Sequence, residues 1–417
     1  MTDKKKMSNR VFRAILIPIM VVLFALVLGV TIAMNSFAKV MNFWFGPGKT
    51  TVTPAEGTED WNTDYYGKKN GSKEAATANA ARVSEQLQDE GIVMLKNNGA
   101  LPLDRTQDKQ KKVSAFGWSF SYPVYGGTGS NKLDPTDFVT PEQGLEAAGF
   151  EVNSELTAAY TEWANTTTYK GITGTMDAVM GKISDIPANA RPINDFGYAN
   201  WDIIEMPVSA EAASSAAEYS DVALIYLSRQ AGENGDVPTT MGPSTFAWRD
   251  GSANFGFNED KHYLQLSDEE EALIDRVTAA GFDKVVVVLN SLNIMQVDDL
   301  ENDDRIDSVL WVGGPGEIGF KSLGKVLSGE VTPSGKTASI WAADFTADPT
   351  FVNYADPDHY NYPYMRDTGK LRQMYSNINA DNTPYKGQAM VQYEEGIYVG
   401  YRCLLYTSPS PRDGATS

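Results

Sequence analysis

The stretch richest in reactive groups is Ser228-Arg229-Gln230-Ala231-Gly232-Glu233-Asn234-Gly235-Asp236. It follows the uniformly apolar run at 222–227, and loops at the ends of buried parallel strands collect active-site groups because they cross the open edge of the sheet. A glutamate set among glycines there can be held at a cleft mouth and exchange protons as a general acid/base. Arg229 and Asp236 stand beside Glu233 as charged neighbours. Type and spacing alone also fit a solvated loop carboxylate.

Two glycine-rich segments are the other candidates. Gly126-Gly127-Thr128-Gly129-Ser130 lets backbone approach a ligand or a neighbouring domain, and equally fits a plain loop. Gly314-Pro315-Gly316-Glu317-Ile318-Gly319 matches the G-x-G-x-x-G pattern of dinucleotide sites. It comes late in the strand–helix alternation, however, and no strand ending in an acid follows it. We read it as tight strand-to-helix packing, with a dinucleotide-binding oxidoreductase as the weaker alternative, and expect no cofactor.

Composition removes other classes. The formal charge of −19 argues against nucleic acid as a partner, since phosphate binding needs a basic surface. One cysteine, Cys403, allows no disulfide within the chain, and only His262 and His359 stand ready as imidazole ligands, so no metal is expected.

The elements that must position these loops are legible as patterns. A helix is expected over 74–97, with Ala80, Val83, Leu87 and Gly91 on one apolar face. Strands are expected at 113–116, 151–152, 222–227, 285–289 and 308–312, several of them apolar throughout. Thr140-Pro141-Glu142, Ser209 and Ser267-Asp268-Glu269-Glu270 open helices with capping residues. Wholly apolar strands spaced by helices imply an α/β three-layer sandwich with a mostly parallel sheet covered on both faces. Residues 166–200 resist assignment.

Ahead of this lies a charge-free apolar stretch at 14–34, long enough at about 1.5 Å per residue to span a bilayer. Lys4, Lys5, Lys6, Arg10 and Arg13 precede it, so the positive-inside rule keeps 1–13 cytoplasmic and the remainder outside. We expect a single transmembrane helix; secretion after cleavage near Ser36-Phe37-Ala38 is the alternative. Residues 35–73 read as a polar spacer, 74–345 as the sandwich and 346–402 as an irregular connection.

Several segments together resemble the α/β-sandwich domain of family 3 glycoside hydrolases, the β-glucosidase family. They are Glu90-Gly91-Ile92-Val93-Met94-Leu95-Lys96-Asn97-Asn98-Gly99 with Leu101-Pro102-Leu103, the 126–130 loop, and Ser228-Arg229-x-x-Gly232-Glu233. Leu266-Ser267-Asp268-Glu269-Glu270, Gly313-Gly314-Pro315-Gly316, Leu327-Ser328-Gly329 with Pro333-Ser334-Gly335-Lys336, and Tyr393-Glu394-Glu395-Gly396-Ile397-Tyr398-Val399-Gly400-Tyr401-Arg402 complete the set, in the family's order. The resemblance implies that Glu233 is the acid/base of a retaining glycosidase acting on an oligosaccharide or β-glycoside. Trp118, Arg229 and Asp236 are further candidates, for shaping the aglycone side or orienting Glu233, with a structural role the preferred alternative for each. Asn234 and Val237 depart from the usual Gly and Arg.

The nucleophile implied by the resemblance is an aspartate on a (β/α)8 barrel, expected here beyond residue 402 in a permuted domain order. Residues 403–413 resemble a translated sequencing adapter, and we expect 403–417 to be an adapter-derived tail. A chain of this content supplies half of the carboxylate pair and is expected to be inactive alone. A non-catalytic, membrane-anchored carbohydrate-binding protein is the rival reading.

Overall fold

A computed structural model describes residues 9–36, 56–58, 69–127, 138–166, 168–171, 184–187, 194–195, 198–199, 203–232, 241, 258, 260–345, 354–355, 390–391, 396–398 and 400–402. The chain divides into two units, Met1–Lys69 and Asn70–Ser417.

In the first unit, helix α1 (Asn9–Ser36) contains the apolar segment Phe12–Thr31 and Pro18. By length and composition it can cross a membrane.

The second unit is built on a six-stranded sheet. Its strands are β1 (Val93–Asn97), β2 (Lys112–Phe116), β3 (Glu151–Val152), β4 (Val222–Arg229), β5 (Lys284–Ser291) and β6 (Ser308–Trp311). Their order is β1-β6-β5-β4-β2-β3, parallel throughout except for β1, which runs antiparallel along β6. The central pair is the longest, from Val222 opposite Lys284 to Arg229 opposite Ser291.

Alternation along β4 explains why its sequence is apolar without interruption. Val222, Leu224 and Tyr226 face one core; Ala223, Ile225 and Leu227 face another. Side chains alternate across a strand, so two covered faces require every position to be apolar. Helices α3 (Pro141–Ala147) and α7 (Phe320–Ser328) supply Leu145, Phe320, Leu323 and Leu327 to the first core. Helices α4 (Ser154–Thr166), α5 (Ala210–Tyr219) and α6 (Asp268–Thr278) cover the second with Leu156, Ala216, Leu273 and Val277. The sandwich and the mainly parallel sheet stand as expected.

Local chemistry sets the helix starts. Thr140 and Ser267 each form a complete capping box, with Gln143 and Glu270, while the Ser209 hydroxyl accepts from Ala212 N. Helices α3 and α7 approach through glycine: a Cβ at Gly144 would meet the Phe320 carbonyl at 2.2 Å, and one at Gly324 the Gly144 carbonyl at 2.3 Å.

The expectation for 74–97 needs two corrections. Helix α2 spans Lys73–Gly91, and Ile92 is already extended, so the segment after Gly91 enters the sheet as edge strand β1. The helix also seats its polar side, not its apolar one. Lys325 of α7 pairs with Glu85 and Asp89, and Gln88 Nε2 donates to Val312 O at 2.8 Å. Val83 and Leu87 are left exposed, at 37% and 67%.

Candidate functional site

The C-terminal ends of β2, β4, β5 and β6 lie along one edge of the sheet. Arg229, the last residue of β4, is fully buried beneath that edge. Its Nη1 donates to Glu270 Oε1 at 2.7 Å and to Ser228 O at 2.8 Å. Nη2 donates to Glu270 Oε2 at 2.6 Å and to Gln265 O, while Nε donates to Tyr263 O at 2.7 Å. A guanidinium has five N–H donors, and all five are engaged. Burial works against the charge, but the adjacent Glu270 carboxylate outweighs it and raises the Arg229 pKa. Arg229 therefore has every donor engaged within the protein. What it orients is the base of the loop that follows.

Glu270 is the N3 residue of the α6 capping box, and its Oε2 also accepts from Ser267 N at 2.9 Å. One carboxylate thus satisfies a helix start and a strand end. Beyond Arg229 the backbone is held from two sides: Gln230 N donates to the Tyr263 hydroxyl at 2.9 Å, and Asn293 Nδ2 donates to Gln230 O at 3.1 Å. This anchored base reaches Gly232. Glu233 and Asp236 lie outside the described residues, as do 128–130, the tail at 403–417, and most of 35–73, 166–200 and 346–402.

The two glycine-rich segments meet at the same edge. Gly316 N donates to Tyr125 O at 2.9 Å, and a Cβ on Gly314 would lie 2.4 Å from Leu292 Cδ2 and 3.2 Å from Tyr125 O. Asn290, near the end of β5 and fully buried, fastens both. Its Oδ1 accepts from Val124 N at 2.7 Å; its Nδ2 donates to Val124 O at 2.8 Å and to Gly313 O at 2.7 Å. At Gly319 a Cβ would lie 2.4 Å from Pro315 O. Gly314 and Gly319 thus serve close packing, whereas a Cβ on Gly316 would meet nothing within 4 Å and that position is set by its φ of 66°.

Trp118 is also buried, at 2% exposure. Its ring stacks on Tyr122 with centroids 4.2 Å apart, meets Trp163 edge-on, and packs with Ala164 and Ile204. Its ring thus belongs to a core cluster behind the sheet edge. The turn Trp118–Ser121 follows β2 through Gly117, whose φ of 99° and approach to the Tyr226 carbonyl exclude a side chain.

Sequence reasoning missed Asn290, Tyr263 and Glu205. The first had one signal, a polar residue closing the run Val-Val-Val-Val-Leu. Glu205 accepts from Trp118 N and Met206 N, each at 2.9 Å, and burial foremost pushes its pKa up to about 8. With Glu270, Ser119 and Tyr226 it lines a cavity of about 10 Å³, too small for any sugar. Among the described residues no cluster of three or more His, Cys, Asp or Glu is placed to hold a metal.

Comparison with known proteins accords with this architecture. The family described as "Glycosyl hydrolase family 3 C-terminal domain" matches residues 92–401. A β-glucosidase of Ruminococcus albus is 30% identical over 300 residues, covering 72% of this chain and 25% of that protein. Beta-glucosidase 1 of Aspergillus aculeatus is 22% identical over 381 residues, covering 87% of this chain and 35% of that protein. Among solved structures, β-glucosidase 3B of Thermotoga neapolitana in complex with glucose superposes with a TM-score of 0.54 at 25% identity. That match covers 79% of this chain and 36% of the other. The chain thus spans between a quarter and about a third of the length of the relatives it matches. The family match, which extends over most of the chain, and the likeness to these β-glucosidases carry one conclusion: the chain belongs to glycosyl hydrolase family 3 and carries that family's C-terminal domain.

Proposed function

We propose that this chain is the acid/base part of a retaining, β-glucosidase-type glycoside hydrolase that removes terminal β-linked glucose or a related sugar. Glu233 is the proton donor and, in the second half-reaction, the base that activates water. A retaining glycosidase places two carboxyl groups about 5–5.5 Å apart, one attacking the anomeric carbon while the other protonates the leaving oxygen. The attacking aspartate belongs to a (β/α)8 barrel elsewhere in the same polypeptide. The acid must keep its proton in the Michaelis complex, so its carboxyl needs fixed placement and a raised pKa. Asp236, three residues on, is proposed to orient it.

The observation that carries this reading is the anchored base of the loop. Five donated hydrogen bonds from Arg229, with Tyr263 and Asn293 holding Gln230, fix the backbone three residues ahead of Glu233. A catalytic group on a loop needs such support from rigid elements. Helix α1 is proposed as a single-pass anchor with the sandwich outside the cell; removal as a signal sequence is the alternative.

The test uses the complete gene product and nitrophenyl β-glucoside. Glu233→Ala should lose at least about a hundredfold in turnover, and added azide should restore product as a glycosyl azide. Undiminished turnover in the variant would refute the assignment. Glycan binding without hydrolysis by the complete wild-type protein would favour a binding protein.

A further inference from the structure

The small cavity behind the Trp118–Ser121 turn is lined by polar groups the proposed chemistry does not use. Glu205, 5% exposed, sits at its centre of attachments. Its Oε2 accepts from Trp118 N at 2.9 Å; its Oε1 accepts from Met206 N at 2.9 Å and from the Tyr160 hydroxyl at 3.3 Å. The Tyr160 hydroxyl in turn accepts from Gly117 N at 2.8 Å. Thus one carboxyl and one phenol hold the two backbone N–H groups by which the chain leaves β2.

The charged and titratable groups around Glu205 are few. Tyr160 reaches it from α4, and Glu270 reaches the cavity from α6. Strand β4 contributes Tyr226 directly and Arg229 through Glu270. The only cation in this set is already bound bidentately to Glu270. A charged Glu205 would thus be a second buried carboxylate beside Glu270, with no counter-ion of its own among these groups, and such a charge is costly. A neutral carboxyl instead has an O–H to donate. The Ser119 and Tyr226 hydroxyls line the same cavity, buried and without a hydrogen-bond partner.

We propose that Glu205 is a positioning residue: its neutral carboxyl holds the turn after β2 against the end of β4, whose Tyr226, Leu227 and Ser228 line the same cavity, and its ionisation loosens both. Burial and Glu270 both favour the neutral form, with a pKa of about 8, while the two backbone donors work in the opposite direction. A group whose folded pKa lies above its unfolded value contributes stability that is full below the unfolded pKa, about 4.5 here. That contribution declines as pH rises and is lost once pH passes the folded value. The end of β4 begins the loop that bears Glu233, so the proposal rests on the proposed function only for what loosening would mean. Its test reads structure and not turnover.

The full chain in detergent would be followed by hydrogen exchange, corrected for intrinsic rates, in peptides covering 115–122 and 226–232. Wild-type protection should fall about tenfold or more between about pH 6 and about pH 9.5, and protection in Glu205→Gln should stay level. An equal fall in Glu205→Gln would overturn the proposal. If Glu205→Gln does not fold, wild-type chain with isotopically labelled glutamate gives an independent reading. The infrared C=O band of a neutral carboxylic acid should be present near neutrality and vanish around pH 8, where the fall in protection levels off. Absence of that band, or its loss without change in exchange, would equally overturn it.

Discussion

Arg229 and Glu270 face each other in a two-pronged ion pair, Nη2 to Oε2 at 2.6 Å and Nη1 to Oε1 at 2.7 Å, with both side chains withdrawn from solvent. Removing one member strands the other charge where water cannot reach it. Glu270→Ala should therefore cost about 3–5 kcal/mol, read as a lowered urea midpoint. An unchanged urea midpoint in Glu270→Ala would contradict this account.

Two glycines with similar backbone angles should respond differently to alanine. Gly117 and Gly99 have φ of 99° and 88°. A Cβ at Gly117 would lie 2.1 Å from the Tyr226 carbonyl, whereas one at Gly99 meets nothing within 4 Å. Gly99→Ala should cost about 1 kcal/mol, the backbone penalty alone. Gly117→Ala should cost several-fold more or prevent folding, and thermal melts of the two variants side by side decide it.

Asn290→Leu keeps the volume and removes the polar atoms. It leaves Val124 N without its acceptor and withdraws the donor shared by Val124 O and Gly313 O. An unsatisfied buried group costs about 1–3 kcal/mol, so a loss in that range is expected in denaturant unfolding. Amide exchange should rise around 124–127 and 313–316 together.

Helix α2 supplies a control of opposite sign to its sequence pattern. Leu87→Gln, at an exposed position on the apparent apolar face, should change stability by no more than about 0.5 kcal/mol. Lys325→Met removes the partner of both Glu85 and Asp89 and should cost more, up to about 1 kcal/mol. A large loss in Leu87→Gln would show that α2 turns its apolar side inward.

The sheet was readable because its signals are local. Runs such as Val-Val-Val-Val-Leu at 285–289 demand burial on both faces, and Ser267 and Thr140 announce helices through the three residues that follow each. Strand β1 was hidden because its residues extend the helical pattern of α2, and only pairing with β6, over two hundred positions away, makes them extended. The same distance concealed the orientation of α2, which depends on Lys325. At the site, the Arg229 sequence context suggested chemistry, but its role is set by carbonyls from 263 and 265 and by Glu270. Glu205 left no trace in sequence: its partners Trp118 and Tyr160 lie 87 and 45 residues away and are joined only by the fold.

The Asn290 carboxamide has a bearing on engineering. A single side chain ties Val124, just ahead of one glycine segment, to Gly313, just ahead of the other, so a shift at either position strains the bonds to both. A chimera importing just one of them from a relative would inherit a mismatch at this knot. Grafts that transfer both segments along with the asparagine should be tolerated where single swaps fail.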